Sequence, residues 1–277
     1  MAGHLSAEQA ERYRRDGFLF PVRVLTRAEA EGYKVKLEAY ERAAGGPISG
    51  NRRHKVHLLF TWAAELVRNP AILDAVESVL GPDLMVWGTD FFIKEPRDPG
   101  FVSWHQDSTY WGLDPADIVT AWVAFSDAPV ESGAMKFMPG SHLIDQLPHV
   151  DTFHEHNLLT RGQEIAVEVD EAKAVDVTLN AGEMSLHHVR LVHGSKPNTT
   201  ANRRIGFAIR YMPTYVRPVK IKDGAMLVRG TDRYGHFVPE VAPTADLDDA
   251  AIAAHATSIQ RQIAALYEGT DRTEMRP

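Results

Sequence analysis

Residues 203–212 read RRIGFAIRYM, and the alternation inside this stretch decides the fold. In an extended chain Ile205, Phe207, Ile209 and Tyr211 share one side, a bulky apolar face suited to packing against helices. Arg204, Gly206, Ala208 and Arg210 share the other, a small and cationic face suited to lining a cavity. Arg203 then points outward as a solvated charge. One face for a core and one for a cavity is what a jelly roll or barrel asks of its strands.

The same texture extends upstream to Leu84. Short β-rich runs separated by turn residues read MVWGTDFFIK (85–94), FVSWHQD (101–107), IVTAWVAFS (118–126), AMKFM (134–138), EIAVEV (164–169) and EMSLHH (183–188). The pattern is lost over 141–163, SHLIDQLPHVDTFHEHNLLTRGQ, and a loop of that length in a compact domain reads as a lid. Residues 1–83 punctuate mainly as helices: Ser6 with Gln9 and Thr26 with Glu29 are capping boxes, and Asn69-Pro70 and Gly81-Pro82 bracket another helix. Between them FLFPV (18–22) reads as a short strand, and AAGGPISGN (43–51) as a flexible loop. Residues 247–266 carry helical spacing and are expected to pack back on the N-terminal helices. The expectation is one domain over 1–277: a helical buttress (1–83), a β core (84–213) with its lid (141–163), and a C-terminal extension with a helix (214–277).

Composition narrows the function. The 277 residues are 44% hydrophobic and 24% charged, enough for a sizeable core. Net charge is −7, and no dense Lys/Arg cluster is present, which argues against nucleic acid and anionic membrane as partners. The absence of cysteine excludes disulfides, iron–sulfur clusters and thiolate zinc, so a metal must be held by His, Asp or Glu. A polar N-terminus without a signal-peptide core, and no run able to span a bilayer, predict a cytoplasmic protein. Its expected partner is a small molecule; self-association into a homo-oligomer is left open.

His105 and Asp107 stand two apart in a run that reads as a strand, so both side chains leave one face. His193, in LVHGS, supplies a third donor. Two imidazoles and one carboxylate leave open positions on a metal, the arrangement of non-haem Fe(II) oxygenases. His-x-Asp alone is a weak signal in a chain of thirteen histidines, and its bland reading is a hydrogen-bonded histidine. Arg204, soon after His193, strengthens it. 2-Oxoglutarate chelates iron through its keto acid and leaves a second carboxylate for a guanidinium to clamp.

The segments FFIKEPRDPGFVSWHQDSTYW (91–111), IVTAWVAFSDAPVESGAMKFMPGSH (118–142) and AGEMSLHHVRLVHGSKPNTTANRRIGFAIRYMP (181–213), with DGFLF (16–20), resemble the phytanoyl-CoA dioxygenase family, which includes ectoine hydroxylases. The resemblance implies a mainly β fold with flanking helices, a double-stranded β-helix or cupin-like jelly roll buttressed by N- and C-terminal helices. It implies Fe(II) on His105, Asp107 and His193, and 2-oxoglutarate on Arg204, with O2 as the oxidant. Lys94 and Trp122 look like family contacts to 2-oxoglutarate and Ser195 like a hydroxyl beside it; strand parity turns Thr120 inward with Trp122. The activity implied is hydroxylation of an unactivated C–H bond of a small, charged metabolite, with release of succinate and CO2. Halogenating relatives have a small residue where Asp107 stands, so hydroxylation or desaturation is favoured.

For the substrate, parity turns Asp90 and Arg210 into the cavity, places Trp111 at its rim and lets His187 border it. Asp90 and Arg210 either hold the opposite charges of a zwitterion or pair with each other. His188 faces away, and His142, His149, His154 and His156 take solvated or loop-stabilising roles. A cupin-like metal- or ligand-binding protein without oxygenase turnover, and a scaffold on an inactive oxygenase fold, are the competing readings; Arg204 and the complete triad argue against both.

Overall fold

A computed structural model describes residues 3–268 and Asp271. Its large sheet has the strand order Phe18–Arg23, Glu183–His188, Val119–Ala124, Arg204–Pro213, Leu84–Lys94, Gly224–Arg229, Val238–Pro239. All neighbours are antiparallel except the last pair. A smaller sheet, ordered Val102–His105, His193–Ser195, Met135–Phe137, Val175–Val177, lies against it. Trp122 and Ala208 of the large sheet meet Phe137 and Val177 of the small one, closing the space between them. This is the expected jelly roll; its sheets remain open at their edges.

The Arg204–Pro213 strand is central, and every residue in it is buried. Phe207 packs on Phe91, Phe125 and Trp62, and the Tyr211 hydroxyl donates to Val67 O at 2.9 Å. Burying such side chains stabilises the fold by ~1.5–3 kcal/mol each, which is why the alternation in this strand is so legible. On the inner face Gly206 serves Trp122 rather than open space. A Cβ at 206 would lie 1.7 Å from the indole, so only glycine lets Trp122 cross the strand.

The helices Ala7–Asp16 and Arg27–Ala44 start at Ser6 and Thr26 with both capping boxes formed, and Pro70–Leu80 starts at Asn69. They cover the outer face of the large sheet. The C-terminal helix, Asp249–Leu266, meets the expectation in part: it touches the Val56–Leu58 turn of the N-terminal region, with His255 Nε2 2.9 Å from His54 O. Its Ile259, Ile263 and Leu266 join Met85, Trp87 and Met212 in a separate cluster on the inner face, not the core of the N-terminal helices. Among the described residues no helix is long and apolar enough to cross a membrane.

Other differences are local. Opposite Arg210 and Tyr211 the register skips one residue, so Trp87 is a bulge residue and turns inward. EIAVEV is a strand only as far as Ile165, because Gln163–Ile165 pairs with His149–Asp151 in a ribbon that gives the 141–163 segment structure of its own. Arg203 is not a solvated charge. It binds Glu41 and Glu95, fastening the strand to the Arg27–Ala44 helix.

Candidate active site

His105 ends the Val102–His105 strand and His193 begins His193–Ser195, and the two face each other directly in the antiparallel register. Their rings lie 4.1 Å apart between centroids. Asp107 reaches them by another route than alternation. The chain leaves the strand after His105, and Asp107 has helical backbone (φ −61°, ψ −35°) at the start of the short Ser108–Trp111 helix. That turn brings Asp107 Oδ1 to 3.3 Å from His105 Nε2. One donor atom from each of His105, Asp107 and His193 falls within 4.8 Å of the others.

Hydrogen bonds present these donors in metal-binding form. His105 Nδ1 lies 2.9 Å from Ser103 O and 3.1 Å from His193 O, and His193 Nδ1 lies 2.9 Å from Leu191 O. Carbonyls only accept, so each Nδ1 carries the proton and each Nε2 keeps its lone pair for the centre. Burial pushes His193 well below the ordinary histidine value, and the neighbouring His105 adds to this, so the ring is neutral. Burial alone would raise Asp107, but a hydrogen bond from His105 and the charges that His193, His105 and His187 carry when protonated outweigh it and hold the carboxyl at about 2, so it remains a carboxylate. Two imidazoles that turn Nε2 towards the centre and a carboxylate are the donor set Fe(II) takes in a facial triad. His187 stands outside the set, its Nε2 4.0 Å from Asp107 Oδ2 and its ring 4.9 Å from that of His193.

Beside the triad lie two buried cations. Arg204 and Lys94 are register partners on adjacent strands, with 2% and 0% of their surface exposed. Arg204 Nη1 donates to Gly133 O at 2.5 Å, the guanidinium stands 5.3 Å from the Trp122 ring, and Nε has no partner. Lys94 Nζ donates to Ser195 Oγ at 2.7 Å and to the carbonyls of Lys196 and Gly133. Gly133, at φ 73°, can offer its carbonyl to both because a Cβ there would meet Lys196 O at 2.2 Å. Asp98 is the one acidic group whose charge reaches either cation, and it forms no ion pair with them among the described residues. Burial, then the charge of Arg204, lowers Lys94 to about 6. Arg204, buried and held by a single carbonyl, has no paired counter-charge, and Lys94 takes its charged form in the company of an anion, so together they favour one.

Triad and Arg204 line one cavity, with Thr120, Trp122, His187 and Ser195 also in its wall, whereas Lys94 does not line it and lies behind Ser195, to which it donates. Thr120 Oγ1 has no hydrogen-bond partner, and Thr120 stands in register between His187 and Arg210. A second recess adjoins it, sharing Phe92, Asp107, Leu159 and Arg210. Here Asp90 and Arg210 realise the second of their two readings: they pair, and His54 Nδ1 takes the other Asp90 oxygen. Trp111 packs on Trp87 with ring centroids 4.8 Å apart and planes tilted by 37°, and lies 5.6 Å from the Arg210 guanidinium. Sequence reasoning missed Arg53, His54, Gln262 and Leu266, which also line this recess. No local pattern marks them; three-dimensional closure brings them in from both ends of the chain.

The chain matches the phytanoyl-CoA dioxygenase (PhyH) family over residues 13–206, a span that holds the triad, Lys94 and Arg204. Among solved structures it is 43% identical to the non-heme monooxygenase ThoJ in its apo form, covering 93% of this chain and 97% of that one with a TM-score of 0.83. The L-proline trans-4-hydroxylase of Streptomyces griseoviridis is 25% identical over 72% of this chain and 84% of its own. A probable alpha-ketoglutarate-dependent hypophosphite dioxygenase of Stutzerimonas stutzeri is 30% identical over 56% of this chain, which spans 54% of that relative's length. With site geometry and family match coinciding on the same residues, the chain belongs to the phytanoyl-CoA dioxygenase family of Fe(II)/2-oxoglutarate-dependent oxygenases.

Proposed function

We propose that the protein hydroxylates an unactivated C–H bond of a small, charged metabolite, with Fe(II) on His105 Nε2, Asp107 and His193 Nε2 and 2-oxoglutarate on Arg204. The carrying observation is the buried pair of Arg204 and Lys94 without a carboxylate beside the three metal-type donors. When bound, iron and 2-oxoglutarate supply the oxidising power, with O2 consumed and succinate and CO2 released. The chain's own groups orient and enclose. Arg204 binds the distal carboxylate, Lys94 adds charge and holds Ser195 in place, and Trp122 packs the guanidinium from one side.

Hydroxylation is favoured over halogenation because Asp107 fills the third protein position at the metal. The name of the L-proline relative supports the same reaction class. A cupin-like binding protein would have no use for the two cations, which cost stability until an anion joins them. Anaerobic addition of Fe(II) and then 2-oxoglutarate is expected to give the weak visible charge-transfer band of a chelated keto acid, and His105→Ala to abolish it. A wild-type protein that binds Fe(II) but yields no band would overturn the proposal. Succinate release over a metabolite panel then identifies the substrate.

A further inference from the structure

The recess beside the metal cavity has a second unneutralised guanidinium, Arg53, which lies in the Gly50–Arg53 turn, far in sequence from the family's metal-binding motifs. Arg53 Nη2 donates to Phe91 O at 2.9 Å, and among the described residues no carboxylate forms an ion pair with it. The charge of Asp98 reaches Arg53, but the two Asp98 oxygens already accept from the backbone N–H groups of Glu95 and Gly100. The one carboxylate within the recess besides Asp107 is Asp90, and both its oxygens are engaged, by Arg210 and His54. Arg210 is 6% exposed, and its Nε has no partner. A molecule reaching from the metal into this recess therefore meets the guanidinium donors of Arg53 and Arg210 and, besides the triad's Asp107, a single carboxylate, Asp90, that is already paired with Arg210.

The surroundings strengthen that bias. Leu158, Leu159 and Leu266 supply apolar wall, and the tilted pair Trp87 and Trp111 supplies an aromatic one. In such a setting a guanidinium–oxyanion contact is worth far more than in water. Resting on the oxygenase reading of the metal site, we propose that this recess binds the oxyanion end of the substrate, a carboxylate or a phosphonate, on Arg53 together with Arg210. The carbon to be oxidised is thereby directed towards the triad. Asp90 does not receive a substrate cation; it holds Arg210 in place.

The test uses anaerobic protein loaded with Fe(II) and 2-oxoglutarate and four flat probes that suit the aromatic wall: benzoate, phenylphosphonate, benzamide and benzylammonium. Binding is read by saturation-transfer NMR. Benzoate or phenylphosphonate, and whichever of them reveals the preferred oxyanion, is expected to bind about tenfold or more tightly than the neutral and cationic probes, the scale of one charge-assisted contact. Arg53→Gln should remove that preference, and Arg53→Lys should restore part of it. Equal or better binding of benzamide or benzylammonium, no binding of either anion, or an unaltered preference in Arg53→Gln would each overturn the proposal. The charge-transfer band is recorded in every variant. Its persistence in Arg53→Gln shows a folded, loaded site, and its absence from the wild type would instead count against the oxygenase reading.

Discussion

Lys55 and Lys94 are both fully buried, but in opposite company. Lys55 Nζ donates to Glu240 at 2.8 Å and to Gly224 O at 2.9 Å, with Asp223 at 4.0 Å. Those acids are themselves occupied: Glu240 accepts from Ser258, and Asp223 accepts from the Trp87 indole at 2.6 Å. Lys94 has a hydroxyl, two carbonyls and a neighbouring arginine, and no carboxylate. The first cluster finds its counter-charges within the chain, although Glu240 Oε2 has no hydrogen-bond partner, and it ties the C-terminal helix to the Gly224–Arg229 strand. The second has no paired counter-charge among the described residues. Burial of a lysine is thus no guide to its role; the charge of its partners is.

Substitutions can break this contrast, beginning with the largest effect. Glu240→Gln leaves Lys55 buried with its closest counter-charge gone, so denaturant unfolding should show a loss of ~3–5 kcal/mol. Wild-type protein should show the same dependence on acid. Burial would raise Glu240, but Lys55 and His57 outweigh it and depress the folded value to about 2 from an ordinary 4.5. A depressed carboxyl contributes stability that is present above 4.5 and lost as pH falls towards 2, a loss that Glu240→Gln should blunt.

Arg204→Met should do the reverse in the metal-free protein. Removing a cation that lacks a counter-charge should leave unfolding stability unchanged or raised by ~1–2 kcal/mol, whereas a drop of the Glu240→Gln size would mean that Arg204 is a structural partner after all. Lys94 sharpens the contrast through pH. An incoming anion favours its charged form, so 2-oxoglutarate binding above pH 6 takes up a proton, and affinity should fall with rising pH by up to about tenfold per unit. A flat profile in calorimetric titrations would argue that Lys94 is already charged by other means. The smallest effect is expected at Arg203→Ala: a loss of ~1 kcal/mol from the bridges to Glu41 and Glu95, and no change in 2-oxoglutarate affinity, in contrast to the weakening expected at the neighbouring Arg204.

Much of this was legible in the sequence for physical reasons that vary by residue. The alternation in 203–212 was readable because its strand is covered on both faces, so each position has one compatible size class. The capping boxes were readable because they are local. Asp107 was placed correctly for a partly mistaken reason: the chain turns into a helix before reaching it, and proximity survives the change of geometry. Trp87 went unplaced because its inward turn comes from a bulge, which depends on the partner strand's register and is not encoded in the strand itself. His193–Ser195 was not read as a strand since three residues are too few to show alternation. Arg53 and Gln262 carry no local mark at all, and closure of the recess by distant segments is what gives them their place.

The central claim, that Arg204 and Lys94 complete a 2-oxoglutarate site beside the triad, is tested most directly by titrating 2-oxoglutarate into anaerobic Fe(II) protein and following the charge-transfer band. Wild-type protein is expected to saturate, and Arg204→Met to need about 100-fold more 2-oxoglutarate for the same band, as truncation of a buried charge-paired contact implies. Equal affinities in the two proteins, with the Fe(II) content matched, would contradict the account.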